Sequence, residues 1–452
     1  MRERTLAELA IEVDGRVLGG DGTVRGVATD SRDVEPGDLF VALVGERTDG
    51  HDFVEDAVRR GASAAMVSRA LPGTPSVVVE DTREALLALA GRERQDITGT
   101  VVGITGSTGK TSVKDASASM LTSRFRVWAS PRSFNTEVGV PLTLLNAPAD
   151  AEVLVVEMGS RGLGHVAALC EVARPEIGVV TNVGLAHMEM FRSLDTVADA
   201  KAELVEALPD GGTAVLNADD PVVAGFGSRT RARVLRFGAA READVRAEDV
   251  TLDELGRPSF TLLATGGAER VELPVVGEHM VWNALAAAAV GVGLGMSAAE
   301  CASGLKEVRL SPWRMEVVDA AGGIRVLNDA YNANPQSMAA ALKAVRWMAK
   351  QGRSIAVLGE MAELGTVAAR EHERAGELVA RLGIDHLIVV GEGASAIAIG
   401  AEREGVEPER IARVDTVDEA AEQVRRIARQ GDVVLVKGSR VVGLERLAEA
   451  LR

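Results

Sequence analysis

The 452-residue chain is expected to fold as an α/β protein of three units with mostly parallel sheets. Three observations predict this. A β-branched run, Val101 to Thr105, delivers the chain into the glycine-rich loop GSTGKTS, which closes on Lys110 and Thr111 and leads into a helix. Strand-like and helix-like runs alternate along the chain, as they do when parallel strands are joined through covering helices. The alternation is punctuated near Thr100 and at Ser311-Pro312-Trp313-Arg314, where Pro312 breaks helices. The expected units are therefore 1–98, 99–311 and 312–452.

Composition agrees with this class. Hydrophobic residues at 46% build sizeable cores, and aromatic residues at 3% leave those cores to Val, Leu, Ile and Ala. The net charge of -16 argues against nucleic-acid or anionic-membrane partners, which would repel the chain outside a local basic pocket. Cys170 and Cys301 stand far apart without metal spacing and are expected in cores, as in a reducing compartment. The N-terminal MRERTLAELAIEVDG has no signal-like apolar run, and no stretch reaches the roughly 18 to 20 apolar residues of a membrane span. A cytoplasmic location is expected.

In the first unit, strands are expected at Asp38 to Gly45, Ala64 to Val67 and Ser76 to Val79. Helices are expected at Thr82 to Arg92 and around Phe53, Ala57 and Val58. Thr29-Asp30-Ser31-Arg32 and Thr48-Asp49-Gly50-His51 read as turns. The second unit opens on the phosphate cradle. Gly103, Gly106 and Gly109 supply flexible points, Ser107, Thr108 and Ser112 lie between and beside them, Lys110 would reach the outer phosphates of a nucleotide, and the Thr111 hydroxyl would hold Mg²⁺. The strict pattern wants a glycine where this chain has Ile104, so the motif is a variant. Val153 to Gly159 is a buried strand ending in Glu157, and a carboxylate at a strand's C-terminal tip suits Mg²⁺. Ile177 to Val183 leads to a loop carrying His187, which reads either as a surface histidine or, because it follows a strand of the same sheet as Glu157, as one that could face the same phosphates. Asp195 to Leu208 reads as a helix with Val197, Leu204, Val205 and Leu208 on its apolar side and Lys201 as a solvated lysine. Gly277 to Gly295 is a small-residue helix for close packing, with Asn283 in its first turns.

The third unit offers strands at Arg325 to Ala330, Ser354 to Glu360, His386 to Gly391 and Asp432 to Ser439, each ending in glycine or a polar group. Gly391 to Ala396 fits the G-x-G-x-x-A dinucleotide fingerprint but lacks the acidic partner about 20 positions on. The residues thus point to an ATP-consuming, Mg²⁺-dependent enzyme.

GITGSTGKTS, the VEMG strand end, TNVGLAHME, the ADAKAEL helix, GEHMVWNALAAAA, DAYNANPQSM, VLGEMAELG with His372, and VLVKGSR together resemble the Mur ligases, in order and spacing from about Val27 to Leu451. YNANP, GEMAELG and FNTEVGVPLTLL resemble most the subtype that adds D-alanyl-D-alanine. A DNPR motif, usual in the sister enzyme that adds diaminopimelate or lysine, does not occur. The resemblance implies an N-terminal UDP-sugar-binding domain, a central P-loop ATPase and a C-terminal Rossmann-like domain that brings the amino substrate. It implies ATP-dependent amide formation between UDP-N-acetylmuramoyl-tripeptide and D-alanyl-D-alanine through an acyl phosphate, by a monomer active in peptidoglycan synthesis. It places Thr111, Glu157, His187 and a carbamylated Lys201 on Mg²⁺, of which two ions are expected. Asn283 would lie on adenine, with Arg314 and Asp329 near the ATP phosphates and ribose. Asn135, Thr136, Tyr331, Asn332 and Asn334 would line the substrate crevice, and Lys437, Gly438 and Ser439 would close over it. Ser31, Arg32, Asp49, Gly50 and His51 would contact the uridine diphosphate. Thr136, Arg192 and Asn328 depart from the family's pattern, which favours Asn, Gly and an acidic residue there. The alternatives are another Mur-type amide ligase, either the diamino-acid-adding enzyme or one like folylpolyglutamate synthase, and a noncatalytic nucleotide-binding protein.

Overall fold

The computed structural model describes residues 1–45, 48–71, 73–186 and 188–452. Among these residues the strands form principal sheets of five, nine and six strands, with a two-stranded ribbon, Arg4–Thr5 against Thr23–Val24, near the start. In the first sheet Gly26–Ala28, Asp38–Val41, Ala64–Val67 and Ser76–Val78 run parallel, and Arg16–Leu18 closes one edge antiparallel. Helix Thr82–Asp96 follows, its start capped by the Asp81 carboxylate on the N–H groups of Arg83 and Glu84. The helix Val54–Arg60 corrects one expectation: it buries Val54 and Ala57, whereas Phe53 and Val58 are exposed. A 3-10 turn over Gly50–Phe53 precedes it and shifts the helical phase, so a period counted from Phe53 names the wrong face.

The nine-stranded sheet holds the phosphate-loop strand, Thr100–Thr105, third from one edge, between Val153–Glu157 and Ile177–Val180. These three strands are parallel, and Glu157 pairs with Ile104 while Val180 pairs with Thr105. Their C-terminal tips therefore leave the sheet side by side, which brings three loops to one edge. Helices cover both faces, so the strands carry unbroken apolar runs; Val101, Val102, Ile104, Leu154, Val155 and Val156 are fully buried. The far side departs from the expected α/β alternation: Val245–Leu252, Pro258–Ala264 and Gly267–Glu272 form an antiparallel extension. The alanine-rich helix Met280–Gly293 packs in one core with the phosphate-loop helix Lys110–Leu121, and Ala286 to Ala289 have no exposure. Cys170 and Cys301 are both buried.

In the third sheet Ile324–Asn328, Val433–Lys437, Ser354–Leu358, His386–Val390 and Ile411–Val414 run parallel, with Glu316–Ala320 antiparallel at the edge. Among the described residues no helix is long and apolar enough to cross a membrane.

Candidate active site

The phosphate loop is shaped by backbone demands that glycine meets. Gly106 and Gly109 have φ of 145° and 79°, and a Cβ on Gly106 would stand 1.9 Å from Thr181 Oγ1. Gly103, expected as a third flexible point, instead sits inside the strand, paired with Val156 and Gly178. The neighbouring strand tip clamps the loop: Asn182 Oδ1 accepts from Thr108 N and Oγ1 at 2.9 and 3.0 Å, and Ser107 Oγ donates to Gly184 O at 3.0 Å. Helix Lys110–Leu121 begins at Gly109 without a side-chain cap, which suits a helix start that receives an anion.

This loop opens into a cavity of about 1030 Å³ lined by residues of all three units. Of the residues singled out above, Ser107 to Ser112, Asn135, Thr136, Glu157, Asn283, Arg314, Asp329, Tyr331, Asn332, Asn334, Lys437 and Ser439 line it. Thr111 Oγ1 donates to Glu157 Oε2 at 2.7 Å, and Asn135 Nδ2 donates to Glu157 Oε1 at 2.7 Å. Arg314 reaches in from the third unit: its Nη2 donates to Thr111 Oγ1 at 2.7 Å and to Ser133 Oγ at 3.0 Å, and its guanidinium lies 4.1 Å from the centroid of the Tyr331 ring. Among the described residues its buried Nε has no partner, leaving a donor for an anion. Lys110 Nζ donates to Gly106 O at 2.9 Å. Burial pushes the Lys110 pKa down, the Glu157 carboxylate opposes that shift, and Arg314 adds to it.

Several residues take other positions than expected. Lys201 is 2% exposed, not solvated; its Nζ donates to Ser160 Oγ at 2.6 Å, and Ser160 lines the cavity. Burial, and secondarily the charge of Lys110, push the Lys201 pKa well below the ordinary lysine value, which favours the neutral amine. Lys437 and Ser439 belong to the cavity wall. Lys437 is 1% exposed, with Nζ 2.5 Å from Asp329 Oδ2 and 3.0 Å from Asn332 O, and Ser439 Oγ accepts from Ala362 N. Asn334 caps helix Pro335–Met348 through Ser337 N. Among the departures, Thr136 lines the cavity, buried Asn328 accepts from Ala330 N, and Arg192 has a φ of 64°. His187 lies outside the described residues.

Ser31, Arg32, Asp49, Gly50 and His51 do not line this cavity. His51 is buried with both ring nitrogens engaged, Nδ1 at 2.6 Å from Asp49 Oδ1 and Nε2 accepting from Ser68 N at 2.9 Å. Gly50 N donates to Leu43 O, and Ser31 Oγ donates to Asp56 Oδ2 at 2.9 Å. Arg32 alone of the five presents an open side chain, 78% exposed and ion-paired to Asp30. The Gly391 to Ala396 fingerprint also lies off the cavity; it forms a 3-10 turn leading into helix Ser395–Arg403.

Other cavity residues escaped the sequence reading. Ser133, Asn182, Asn217, His279 and Trp282 all line the cavity. Asn182 stands two residues past the Val180 strand tip, which was a usable signal. Ser133 had none beyond its nearness to Asn135.

Metal fit turns on the donor set. Among the described residues no three His, Cys, Asp or Glu side chains gather to hold a metal. A hydroxyl and one carboxylate at the phosphate loop are the oxygen donors Mg²⁺ takes when phosphate and water complete its shell, so Thr111 and Glu157 fit that ion.

Three family models match the chain: Mur ligase family, catalytic domain, over residues 23–94; Mur ligase middle domain over 104–291; and Mur ligase, glutamate ligase domain, over 313–440. The UDP-N-acetylmuramoyl-tripeptide--D-alanyl-D-alanine ligase of Mycobacterium tuberculosis (strain ATCC 25618 / H37Rv) is 42% identical, over 100% of this chain and 98% of that protein. Among solved structures, MurF from Acinetobacter baumannii aligns with a TM-score of 0.89 at 30% identity, covering 100% of this chain and 99% of the other. The MurF ligase from Thermotoga maritima in complex with ADP aligns with a TM-score of 0.81 at 30% identity, covering 95% and 97%. On the strength of a full-length relative and three matching family models in sequence, the chain belongs to the Mur ligase family.

Proposed function

We propose that this protein joins D-alanyl-D-alanine to UDP-N-acetylmuramoyl-tripeptide at the expense of ATP, an amide-forming step of peptidoglycan precursor synthesis in the cytoplasm. The observation that carries this is the 42% identity, end to end, with a ligase of that name. The cavity supplies a chemical reason, since a phosphate loop, a carboxylate and an arginine from a different unit meet in it. We assign the division 1–98, 99–311 and 312–452 to UDP-sugar, ATP and amino-substrate binding. The same reading makes the protein a monomer.

A carboxylate is a poor acyl donor because its charge repels nucleophiles and oxide is a poor leaving group. An oxygen of the tripeptide's terminal carboxylate attacks the terminal phosphorus of ATP, the bond to the bridging oxygen breaks, and ADP departs. The dipeptide amine then attacks the acyl carbon, the carbon–oxygen bond to phosphate breaks from a tetrahedral intermediate, and the nitrogen loses a proton. No protein nucleophile is required, so positioning and charge neutralisation carry the rate. Gly106 to Ser112 cradle the phosphates, with Lys110 and Arg314 balancing charge that develops on transfer. Asn283 holds adenine and Asp329 the ribose side. Asn135, Thr136, Tyr331, Asn332 and Asn334 order the two substrates. Thr111 and Glu157, with His187 and a carbamylated Lys201, would hold Mg²⁺, which would supply neutralisation of phosphate charge. The buried, proton-poor amine of Lys201 is the form that captures CO₂.

The test is ADP formation with product mass, using UDP-N-acetylmuramoyl-tripeptides that carry diaminopimelate or lysine third. Dipeptide-dependent ADP release and a product heavier by the dipeptide residue are expected. ADP release indifferent to D-alanyl-D-alanine would overturn the proposal.

A further inference from the structure

Lys114 lies three residues past Thr111 on the phosphate-loop helix and is 3% exposed. Its ammonium group is consumed inside the fold: Nζ donates to Ser130 O at 2.9 Å and to Arg132 O at 2.7 Å, and lies 2.8 Å from Asp115 Oδ1. A buried ion pair is seldom the most stable filling for its volume, since well-packed apolar side chains serve as well or better. What distinguishes this one is the backbone it grips.

The gripped segment, 130–135, touches both oxygen donors assigned to the cation. Ser130 Oγ accepts from the Glu157 N–H at 3.2 Å, Ser133 Oγ lies 3.2 Å from Thr111 Oγ1, and Asn135 Nδ2 donates to Glu157 Oε1. Arg132 sits in the left-handed region at φ 48°, a conformation its surroundings must hold for a non-glycine residue. Lys114 is bonded to that residue's carbonyl. The second oxygen of Asp115 accepts from Ser311 N at 2.7 Å, three residues before Arg314, which itself reaches Thr111. One ion pair thus ties the phosphate-loop helix to the segment on Glu157 and to the strap that carries Arg314.

We propose that Lys114, paired with Asp115, is a positioning residue that fixes the Thr111 and Glu157 oxygens for the divalent cation of a bound nucleotide. It rests on the ATP and Mg²⁺ reading of the site. The experiment is calorimetric titration of the full-length chain with ADP, with and without Mg²⁺, beside melting of the unliganded protein. In Lys114→Met the Mg²⁺-dependent gain in ADP affinity is expected to shrink by about tenfold to a hundredfold, the range for outer-shell partners of metal ligands, while affinity without Mg²⁺ holds. A lower melting temperature with an unchanged Mg²⁺ dependence would make Lys114 merely structural and overturn the inference. Should Lys114→Met not fold, Asp115→Asn decides: it keeps an oxygen for Ser311 N–H but removes the charge facing Lys114. A loss of about threefold or more in the Mg²⁺-dependent gain supports positioning; no change overturns it. A native protein whose ADP affinity ignores Mg²⁺ would overturn the site reading and this inference together, whereas a native Mg²⁺ dependence that both variants preserve overturns this inference alone.

Discussion

The phosphate loop and the polar turns of the first unit were both expected to hold ligands, and the fold treats them differently. At the phosphate loop, hydrogen bonds inside the protein hold the backbone still while Lys110, Thr111 and Glu157 remain on a cavity wall. In the first unit the comparable side chains are spent on the fold itself: His51 spans Asp49 and Ser68, and Ser31 binds Asp56. A polar side chain in a turn reports only that a turn is built there. A left-handed glycine beside a strand tip reports an unusual backbone, and unusual backbone is what anion sites need.

The largest effect that tests this contrast is at Lys110. Lys110→Ala should lower dipeptide-dependent phosphate release by roughly a thousandfold, as loss of a transition-state donor does, with the melting temperature little changed. Near-native turnover in the folded variant would remove the phosphate loop from the chemistry. Lys201 should come next. Lys201→Ala is expected to lose about a hundredfold, by loss of a metal-side group, and short carboxylates such as acetate or formate should restore part of it. Because burial pushes the Lys201 pKa down, more of the neutral amine is present at a given pH than for an ordinary lysine. Acidification protonates it, so the CO₂-modified fraction and activity should fall together as pH is lowered, and bicarbonate depletion should slow the native enzyme reversibly. Full activity in Lys201→Ala would return the residue to a packing role.

Lys201 also shows what was legible and what was not. The parallel sheets, the strand tips and the phosphate loop follow from apolar runs and glycine placement, properties of short stretches. Burial of a lysine depends on which helices pack against it, here the helix Leu194–Glu206 against its sheet. A local signal did exist. Lys201 stands four residues after Val197 and three before Leu204, inside the apolar stripe, and a cation there belongs to the buried face. The antiparallel strands from Val245 to Glu272 were illegible for a different reason: with one face exposed, the last of them buries only Val271.

Within the first unit, two substitutions separate fold from contact. His51→Ala should cost about 2 kcal/mol of unfolding free energy, because the hydrogen bonds of a buried ring to Asp49 and Ser68 are lost, and any change in UDP-sugar affinity should follow that loss. Arg32→Ala should leave the melting temperature unchanged and raise the KM for the UDP-sugar substrate about tenfold, the 1.4 kcal/mol of a charged contact. Were His51→Ala to keep its stability and lose affinity, the histidine would be the ligand contact and the contrast would fail.

The smallest effect concerns Arg192, where the family favours glycine. Its φ of 64° follows the short helix Met188–Phe191, and its N–H donates to Met188 O at 2.9 Å, the place where a helix end takes a left-handed residue. An L side chain there strains against its own carbonyl, by about 1 kcal/mol, and glycine escapes that strain while giving the unfolded chain more freedom. The two terms nearly cancel for Arg192→Gly, so its urea midpoint should move little. Arg192→Ala keeps the strain without the charge, so comparing the two variants separates backbone from side chain. The two variants should match in stability to within about 1 kcal/mol, with ligation within about twofold of native in both. The helix also meets the third unit, Glu189 N donating to Glu363 O at 3.2 Å, so a loop that needed this strain would betray it in catalysis. A tenfold fall in turnover for Arg192→Gly alone would mean the left-handed residue must be stiff, whereas equal falls in both variants would assign the effect to the guanidinium.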